Sequence, residues 1–292
     1  MENNKIIVII GPTGVGKTNL SISLAKKYNG EIINADSMQF YKGLDIGTAK
    51  IREDEKDGVV HHLFDIKDVN DMYTIYDYQK DCRMIISDIL KRGKTPIMCG
   101  GSGLYIRAAL YDYKFNDEEI KKDFDELSNE ELLNMCTNID PNCDIHVNNR
   151  KRLIRFLNIN LNSGSLVSSS KPIYDFVMIG LTTDREVLYN IINKRVDKMI
   201  NDGLLDEVSY FYKKGIRSKA IMTGIGYKEL YSYFDNEISL DDAVSLIKKN
   251  SRHLAKRQYT FFNNQFADVK WFKTDYDNFS NTVNDVINYL KG

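Results

Sequence analysis

The sequence is poor in cysteine, proline and tryptophan, and it contains no long apolar run. Its four cysteines are scattered without a C-x-x-C pair, so their spacing indicates neither a disulfide framework nor a zinc site. Apolar runs such as residues 6–10 are far shorter than the ~18 residues that a membrane span requires. Residues 1–5 lack the pattern of a signal peptide. We therefore expect a cytoplasmic protein without a membrane partner.

The chain also lacks an excess of charge of either sign. Forty Lys and Arg residues stand against forty-one Asp and Glu residues, for a net charge of −1, which excludes a protein that holds nucleic acid by being basic throughout. The charge is unevenly distributed, however. Residues 114–144 hold ten acidic residues and three lysines, whereas residues 145–174 and 243–267 hold no acidic residue. The balanced total is therefore compatible with local basic surfaces.

Length and hydrophobic content indicate a large folded chain. With 292 residues, 42% of them hydrophobic, the chain forms either one large domain or a domain with an insert. Strand-like runs at residues 6–10, 31–35, 95–99 and 176–181 alternate with helical patterns. This alternation predicts an α/β fold with a doubly wound parallel sheet. Because residues 114–171 show no strand signal, we predict a core of residues 1–113 and 172–292, interrupted by a small helical insertion domain.

One segment carries a specific motif for binding phosphate. Residues 11–18 match G-x-x-x-x-G-K-[ST] between a strand and a helix, which predicts a P-loop NTPase-like core. Glycines let consecutive backbone N–H groups surround phosphate oxygens, and the helix N-terminus adds its dipole. In this motif Lys17 neutralises phosphate charge and Thr18 ligates Mg²⁺. The candidate phosphate-binding residues are Gly11, Pro12, Thr13, Gly14, Val15, Gly16, Lys17 and Thr18.

The ligand of this loop stays open, because any diphosphate satisfies it as well as a nucleoside triphosphate such as ATP. The strand at residues 95–99 ends in glycine rather than in the Asp that supplies a further Mg²⁺ contact in P-loop NTPases. Asp36, by contrast, follows the strand at residues 31–35, so we expect it at the same sheet edge as the loop. It is a candidate base or metal-shell residue, and its alternative role is to cap a turn.

Two basic segments contain no acidic residue. On a predicted helix over residues 243–262, the basic residues share one half of the helical wheel. They are Lys248, Lys249, Arg252, His253, Lys256 and Arg257. A second cluster consists of Arg150, Lys151, Arg152 and Arg155. Each cluster alone is compatible with a solvated charged face, but two of them in a balanced chain indicate contacts with the phosphates of a nucleic acid.

Taken in order, these residues resemble the tRNA dimethylallyltransferases, which add an isopentenyl (dimethylallyl) group to an adenine next to the anticodon, at position 37. The resemblance spans nearly the whole chain. It rests on residues 11–18, 36–39, 45–50, 61–63, 65–66, 96–105, 181–182, 184–185, 195–197, 203–204, 206–207, 226–229 and 252–258. No Cys and His pairs follow Trp271, so the resemblance is to the bacterial type, without the zinc finger of eukaryotic members.

The resemblance implies a role for each motif. In this family the loop holds the diphosphate of dimethylallyl diphosphate, Lys17 and Thr18 act there with Mg²⁺, and Asp36 is the general base for the adenine N6 amine. The resemblance also implies that the target base and the tRNA anticodon stem-loop are contacted. The residues next to the base are Ser37, Met38, Gln39 and Ser102. The other tRNA contacts are Lys121, Lys151, Arg152, Leu153, Ile154, Arg155, Arg252, His253, Leu254, Ala255, Lys256 and Arg257.

Three positions depart from the family's pattern. Ser102 stands where members usually have Thr, and both residues carry a hydroxyl. Lys121 stands where an Arg touches tRNA. Thr223 stands where members often carry Gln or a basic residue near the leaving group, so we assign Thr223 no catalytic role.

Other functions fit part of the sequence. A P-loop phosphotransferase would place ATP in the loop and use Asp36 to activate a hydroxyl. An isopentenyltransferase acting on free adenosine phosphates would share the donor site but need no RNA surface. A non-enzymatic RNA-binding protein would keep the loop only as a scaffold. The favoured reading is a tRNA-modifying enzyme that acts as a monomer.

Overall fold

The computed structural model describes residues 5–113, 124–161 and 171–291. Within these residues the strands form a six-stranded sheet in which all neighbouring strands are parallel. The strands are β1 (Ile6–Ile10), β2 (Gly30–Asn34), β3 (His61–His62), β4 (Thr95–Cys99), β5 (Phe176–Thr182) and β6 (Val269–Lys273). Their order across the sheet is β3-β2-β4-β1-β5-β6. The predicted α/β fold with a parallel sheet is confirmed.

Helices form most of the connections between the parallel strands, whereas the connection from β2 to β3 contains only a 3₁₀ turn. In the described residues they are α1 (Lys17–Lys27), α2 (Ile75–Lys91), α3 (Gly103–Leu110), α4 (Asn129–Ile139), α5 (Arg150–Leu161), α6 (Arg185–Asn201), α7 (Leu204–Lys213), α8 (Lys219–Thr223), α9 (Tyr227–Phe234), α10 (Leu240–Gln265) and α11 (Phe279–Lys291), with a 3₁₀ turn at Glu53–Glu55. No helix in these ranges is long and apolar enough to cross a membrane.

The apolar core is centred on strand β1. All five residues of β1 are fully buried, as expected for a parallel strand covered on both faces. Leu24 of α1 and Val286 of α11 belong to the cluster that packs against it. A second apolar cluster, which includes Leu204, Phe211 and Tyr227, joins the helices α7 to α10. The strand ends and the loops that follow them are therefore anchored on rigid elements.

The chain divides into two compact units. The first consists of Met1–Leu110 and Pro172–Gly292 and contains the sheet, and the second is Tyr111–Lys171. In the described part of the second unit, α4 and α5 pack through a small core of their own. Its fully buried members are Leu132, Cys136, Leu153 and Leu157.

Some local predictions need correction. Asp184, just before α6, makes no side-chain cap on that helix and pairs instead with Lys273 at 2.5 Å. The basic helix is longer than predicted, since the Ser239 hydroxyl caps it by accepting the Asp242 N–H at 3.1 Å. β3 and β6 were not predicted, because one has two residues and the other is only partly buried.

Glu31 carries a buried charge at the start of β2. It is 2% exposed and accepts hydrogen bonds from His62 of β3 (2.7 Å), Arg92 after α2 (2.5 and 2.7 Å) and Lys94 before β4 (2.7 Å). The hydrogen bond from Arg92 is the main cause that holds the pKa of Glu31 well below its usual range, against the effect of burial. A buried carboxylate bonded in this way ties two strands and a helix together.

The substitution Glu31→Gln should therefore destabilise the fold by about 2 kcal/mol at neutral pH, because it removes the carboxylate paired with Lys94 and one of the two paired with Arg92. A carboxylate with a lowered pKa stabilises the folded state above its unfolded pKa and loses that effect as the pH falls. The difference between wild type and variant should thus shrink on acidification, as measured by urea unfolding at about pH 7 and about pH 3. The control is Asp57→Asn, which removes an exposed ion pair with Lys26. Equal losses in both variants would contradict the prediction.

Candidate active site

The phosphate-binding loop occupies the carboxyl end of β1. Gly11, Gly14 and Gly16 have φ angles of 141°, 91° and 88°, a backbone region that side chains disfavour. A Cβ added to Gly16 would also lie 2.5 Å from the ring of Phe279. The loop runs directly into α1, so a glycine-rich turn is joined to a helix N-terminus. That combination binds phosphate oxygens.

The side chain of Lys17 folds back over this loop. Its Nζ donates hydrogen bonds to the carbonyl oxygens of Gly11 (2.9 Å) and Pro12 (2.7 Å). Burial lowers the pKa of Lys17 to about 8, although the negative charges of Cys99 and Asp36, where present, oppose this. Since the hydrogen-bond partners of the ammonium among residues 5–113, 124–161 and 171–291 are neutral carbonyls, its charge is available to an anionic ligand.

Thr18 offers an oxygen beside the loop. Its side chain is exposed in the first turn of α1, and its hydroxyl has no hydrogen-bond partner in the part of the chain that the structure describes. No group of three or more His, Cys, Asp and Glu residues in that part is placed to hold a metal. A hydroxyl oxygen is a ligand that Mg²⁺ accepts, since this ion takes few protein ligands and completes its shell with water and phosphate oxygens.

Asp36 follows β2 at the same edge of the sheet. β4 lies between β2 and β1, so the ends of three adjacent strands meet here. The Oδ1 atom of Asp36 accepts the Met38 N–H at 3.2 Å, and Oδ2 has no partner among the described residues. Burial raises the pKa of Asp36, while the Met38 N–H, Lys17 and Arg195 oppose this effect. One oxygen caps the turn and the other is free to act as a base.

The residues after Asp36 are ordered by two neighbouring loops. The Ser102 hydroxyl accepts the Ser37 N–H at 3.1 Å and donates to the Ser37 hydroxyl at 3.3 Å. The Gln39 amide donates to the Thr48 carbonyl at 3.0 Å. The structure thus brings Ser102, from the glycine turn after β4, to the segment that begins at Asp36. Met38 lies between these two fixed points.

Arg195 of α6 adds a second cation to the loop. Its Nη1 donates to the Thr13 hydroxyl at 2.8 Å, and its Nη2 lies 3.5 Å from the Thr48 carbonyl. No carboxylate in the described residues forms an ion pair with it. Burial lowers the pKa of Arg195, and Asp36 opposes this effect. A guanidinium held only by neutral oxygens beside a phosphate loop is well suited to bind an anion.

A half-buried carboxylate shapes the loop at residues 45–48. Glu207 of α7 accepts the N–H groups of Asp45 (3.1 Å), Ile46 (2.7 Å) and Gly47 (3.1 Å). The Tyr227 hydroxyl donates to the same carboxylate at 2.5 Å. Because this loop supplies the Thr48 carbonyl, Glu207 indirectly fixes the positions of two side chains in the site. Those side chains are Gln39 and Arg195.

The basic face of α10 is only partly free. Lys248 pairs with Asp197 at 2.5 Å, and Arg252 donates to the Asn193 side chain at 2.6 Å, so both are held against α6. Leu254 is half-buried and Ala255 is fully buried. The basic side chains exposed to solvent are Lys249, His253, Lys256 and Arg257. These four form what we call the α10 patch.

The other basic cluster lies on α5. Arg150 donates to the carbonyls of Leu127 (2.6 Å) and Phe124 (2.7 Å), so its charge orders the preceding turn. Leu153 is fully buried and Ile154 is half-buried. The exposed basic side chains here are Lys151, Arg152 and Arg155. Lys121 lies outside the described residues.

Comparison with known proteins gives the family. A family model described as IPP transferase matches residues 39–265. The tRNA dimethylallyltransferase of Anoxybacillus flavithermus is 46% identical over 301 residues, which cover 99% of this chain and 96% of that protein. The chain belongs to the IPP transferase family. The members of this family are prenyl transferases that use a diphosphate substrate.

Solved structures of IPP transferases share this fold. The full-length tRNA isopentenylpyrophosphate transferase of Bacillus halodurans has a TM-score of 0.77 at 42% identity, covering 99% of this chain and 96% of that one. A eukaryotic dimethylallyltransferase acting on tRNA has a TM-score of 0.80 at 28% identity, covering 98% of this chain and 80% of that one. The P-loop-like fold of the family is therefore shared over nearly the whole length of this chain.

Arg195 of this IPP transferase was not predicted to be a site residue from sequence motifs. Arg195 stands in one of the segments that resemble the family, but no spacing rule links it to the loop, because 182 positions separate it from Thr13. Thr223, to which no role was assigned, has its hydroxyl bonded to the Lys219 carbonyl at 2.7 Å within α8. Because this hydroxyl is hydrogen-bonded within its own helix, its geometry gives no reason to assign Thr223 a contact with the leaving group.

The lowered pKa of Lys17 gives a prediction for anion binding by this family member. The ammonium is charged below its pKa and neutral above it, so affinity for inorganic diphosphate should fall as the pH rises through about 8. Calorimetric titration with diphosphate and Mg²⁺ measures this. Lys17→Arg keeps its charge at all these pH values and should remove most of the fall. The same decline in both proteins would show that Lys17 is not its source.

Proposed function

We propose that the chain is a tRNA dimethylallyltransferase. It transfers the dimethylallyl group of dimethylallyl diphosphate to the N6 amine of an adenine next to the anticodon, at position 37, and releases diphosphate. Family membership supports the reaction class. The observation in this chain that carries the proposal is geometric: Lys17 and Arg195 both donate hydrogen bonds to the phosphate loop, and Asp36 follows β2 at the same edge of the sheet.

On the donor side, this arrangement suits an anionic leaving group. When the bond between the allylic carbon and oxygen breaks, negative charge grows on the diphosphate oxygens. The loop N–H groups, Lys17 and Arg195 are fixed before the reaction, so they stabilise this charge without reorganising. Thr18 would hold Mg²⁺, which, when bound, supplies further positive charge to the leaving diphosphate.

On the acceptor side, the N6 lone pair forms the new bond to the allylic carbon as the bond to diphosphate breaks. The proton leaves N6 for the free oxygen of Asp36, whose raised pKa makes it a stronger base than an exposed carboxylate. Ser37, Met38, Gln39 and Ser102 would contact the adenine. The base has to leave the anticodon stack to reach them, which costs less from a loop than from a duplex.

We assign the acceptor RNA to the two basic surfaces. The α10 patch and the exposed cations of α5 supply charge for phosphate contacts in a chain of balanced total charge. The insertion at residues 114–171, which includes Lys121, would contact the tRNA anticodon stem-loop, while residues 1–113 and 172–292 form the catalytic core. We expect the enzyme to act as a monomer in the cytoplasm.

The proposal is tested by incubating the purified chain with labelled dimethylallyl diphosphate, Mg²⁺ and tRNA that lacks the modification. Label should pass to the RNA, at position 37. Transfer to free AMP but not to tRNA would support an isopentenyltransferase of free adenosine phosphates. Transfer to neither acceptor, with phosphate transfer from ATP instead, would support a phosphotransferase and overturn the assignment.

Asp36→Asn should lower the transfer rate at saturating substrates by about two to four orders of magnitude, the range for loss of a general base. The variant keeps an oxygen that can accept the Met38 N–H, so the turn should be preserved. Single-turnover transfer of label to tRNA measures the rate, while calorimetry checks that diphosphate still binds. A variant with the rate of the wild type would remove Asp36 from the mechanism.

The double substitution Lys256→Glu with Arg257→Glu should weaken tRNA binding and reduce the dependence of log Kd on log salt by about two, one for each lost phosphate contact. Filter binding at a series of salt concentrations measures both quantities. Lys80→Glu with Lys91→Glu changes the same charge on exposed positions of α2 and serves as control. An equal effect of both pairs would mean that total charge, and not the α10 patch, governs binding.

A further inference from the structure

Gln258 of α10 joins the phosphate loop to the second glycine turn. Its Oε1 accepts the Thr13 N–H at 3.0 Å, and its Nε2 donates to the Gly101 carbonyl at 3.2 Å. The side chain is buried, with 9% of its surface exposed. Both ends of the amide are therefore used, each by the backbone of a different loop. Burial of an amide is compatible with stability only when its polar atoms are bonded in this way.

The second glycine turn is shaped to receive α10. A Cβ on Gly101 would lie 2.1 Å from the Gln258 Nε2 atom, and a Cβ on Gly103 would lie 2.3 Å from the ring of Phe261. Neither glycine has a positive φ angle, so their lack of a side chain serves close approach and not a turn conformation. The segment after β4 has glycines in place of the Asp that contacts Mg²⁺ in P-loop NTPases. The close approach of Gln258 and Phe261 explains why glycine is needed there.

Thr13 is fixed from two sides as a result. Gln258 holds its backbone N–H, and Arg195 holds its hydroxyl. Because the Thr13 N–H points to Gln258, the direction of the peptide before Thr13 is set by protein contacts and does not wait for a ligand. The position of this peptide also restricts the directions of the N–H groups that follow it in the loop. A loop ordered before binding loses less conformational entropy when the anion arrives.

We propose that Gln258 is a positioning residue that holds the phosphate loop in its diphosphate-binding form. The inference rests on the proposed function for the identity of the donor, but diphosphate binding tests it without any transfer. Gln258 follows Lys256 and Arg257 of the α10 patch directly in sequence, so the helix that carries the proposed RNA contacts also carries the amide that orders the donor loop.

The test uses two substitutions that break the same contact from opposite sides. Gln258→Met removes both hydrogen bonds at similar side-chain length, and Gly101→Ala pushes a methyl group into the amide. Each should weaken binding of inorganic diphosphate with Mg²⁺ about tenfold, and the double variant should be no weaker than the worse single one. In the transfer assay the KM for dimethylallyl diphosphate should rise by a similar factor while kcat changes less.

A third variant separates positioning from general stability. Gln258→Glu can accept the Thr13 N–H, but it can donate to the Gly101 carbonyl only when protonated. Its diphosphate affinity, relative to wild type at the same pH, should therefore be low at about pH 8 and recover on acidification, whereas Gln258→Met should show no recovery. Asn264→Asp, an exposed amide changed to carboxylate on the same helix, should resemble wild type throughout.

The outcomes distinguish this inference from the proposed function. If wild type transfers label to tRNA but Gln258→Met and Gly101→Ala bind diphosphate normally, the function stands and the positioning role is wrong. If wild type transfers no label but its diphosphate binding depends on Gln258 as described, the positioning role stands and the function is wrong. Additive losses in the double variant would show that the two substitutions act separately, which also overturns the inference.

Discussion

The parallel pairing of β2, β4 and β1 is the constraint on which the rest of this molecule depends. Parallel strands direct their carboxyl ends to one edge, and this strand order places three consecutive ends side by side. The phosphate loop, Asp36 and the glycine turn after β4 are the segments that leave those ends. Chemistry that is dispersed over the first hundred residues of the sequence is therefore assembled by the backbone hydrogen bonds of a sheet whose central strand is completely buried.

The balance of charges at this edge of the sheet favours the binding of an anion. Lys17 and Arg195 have neutral oxygen partners. The nearby carboxylate of Asp36 accepts the Met38 N–H with one of its two oxygens. Burial opposes the charged form of all three groups. Two cations and one carboxylate leave an excess of positive charge, which the diphosphate of the proposed donor would neutralise. In the mechanism that we propose, the second oxygen of Asp36 accepts the proton that the acceptor releases.

The sequence predicts the parts of this site that are local, and it fails for those that depend on distant contacts. The loop at residues 11–18 and the position of Asp36 after β2 follow from short motifs next to apolar runs. By contrast, the contacts of Arg195 and Gln258 with Thr13 span 182 and 245 positions, and those of Glu207 with residues 45–47 span about 160. Such pairs depend on how α6, α7 and α10 pack, which periodicity does not specify.

The basic residues show the same difference between pattern and structure. The helical wheel correctly places Lys248 and Arg252 with Lys256 and Arg257, yet the first two are held by Asp197 and Asn193 of α6. Arg150 is likewise used to order a turn in its own unit. An ion-paired or hydrogen-bonded cation must give up its partner before it can contact a phosphate. In the proposed tRNA complex, only the exposed members of each cluster would therefore contribute their full charge. The charge that a surface offers to a ligand therefore has to be counted after pairing within the protein. In α10, the exposed cation Arg257 is followed directly by Gln258, whose amide accepts the Thr13 N–H of the phosphate loop.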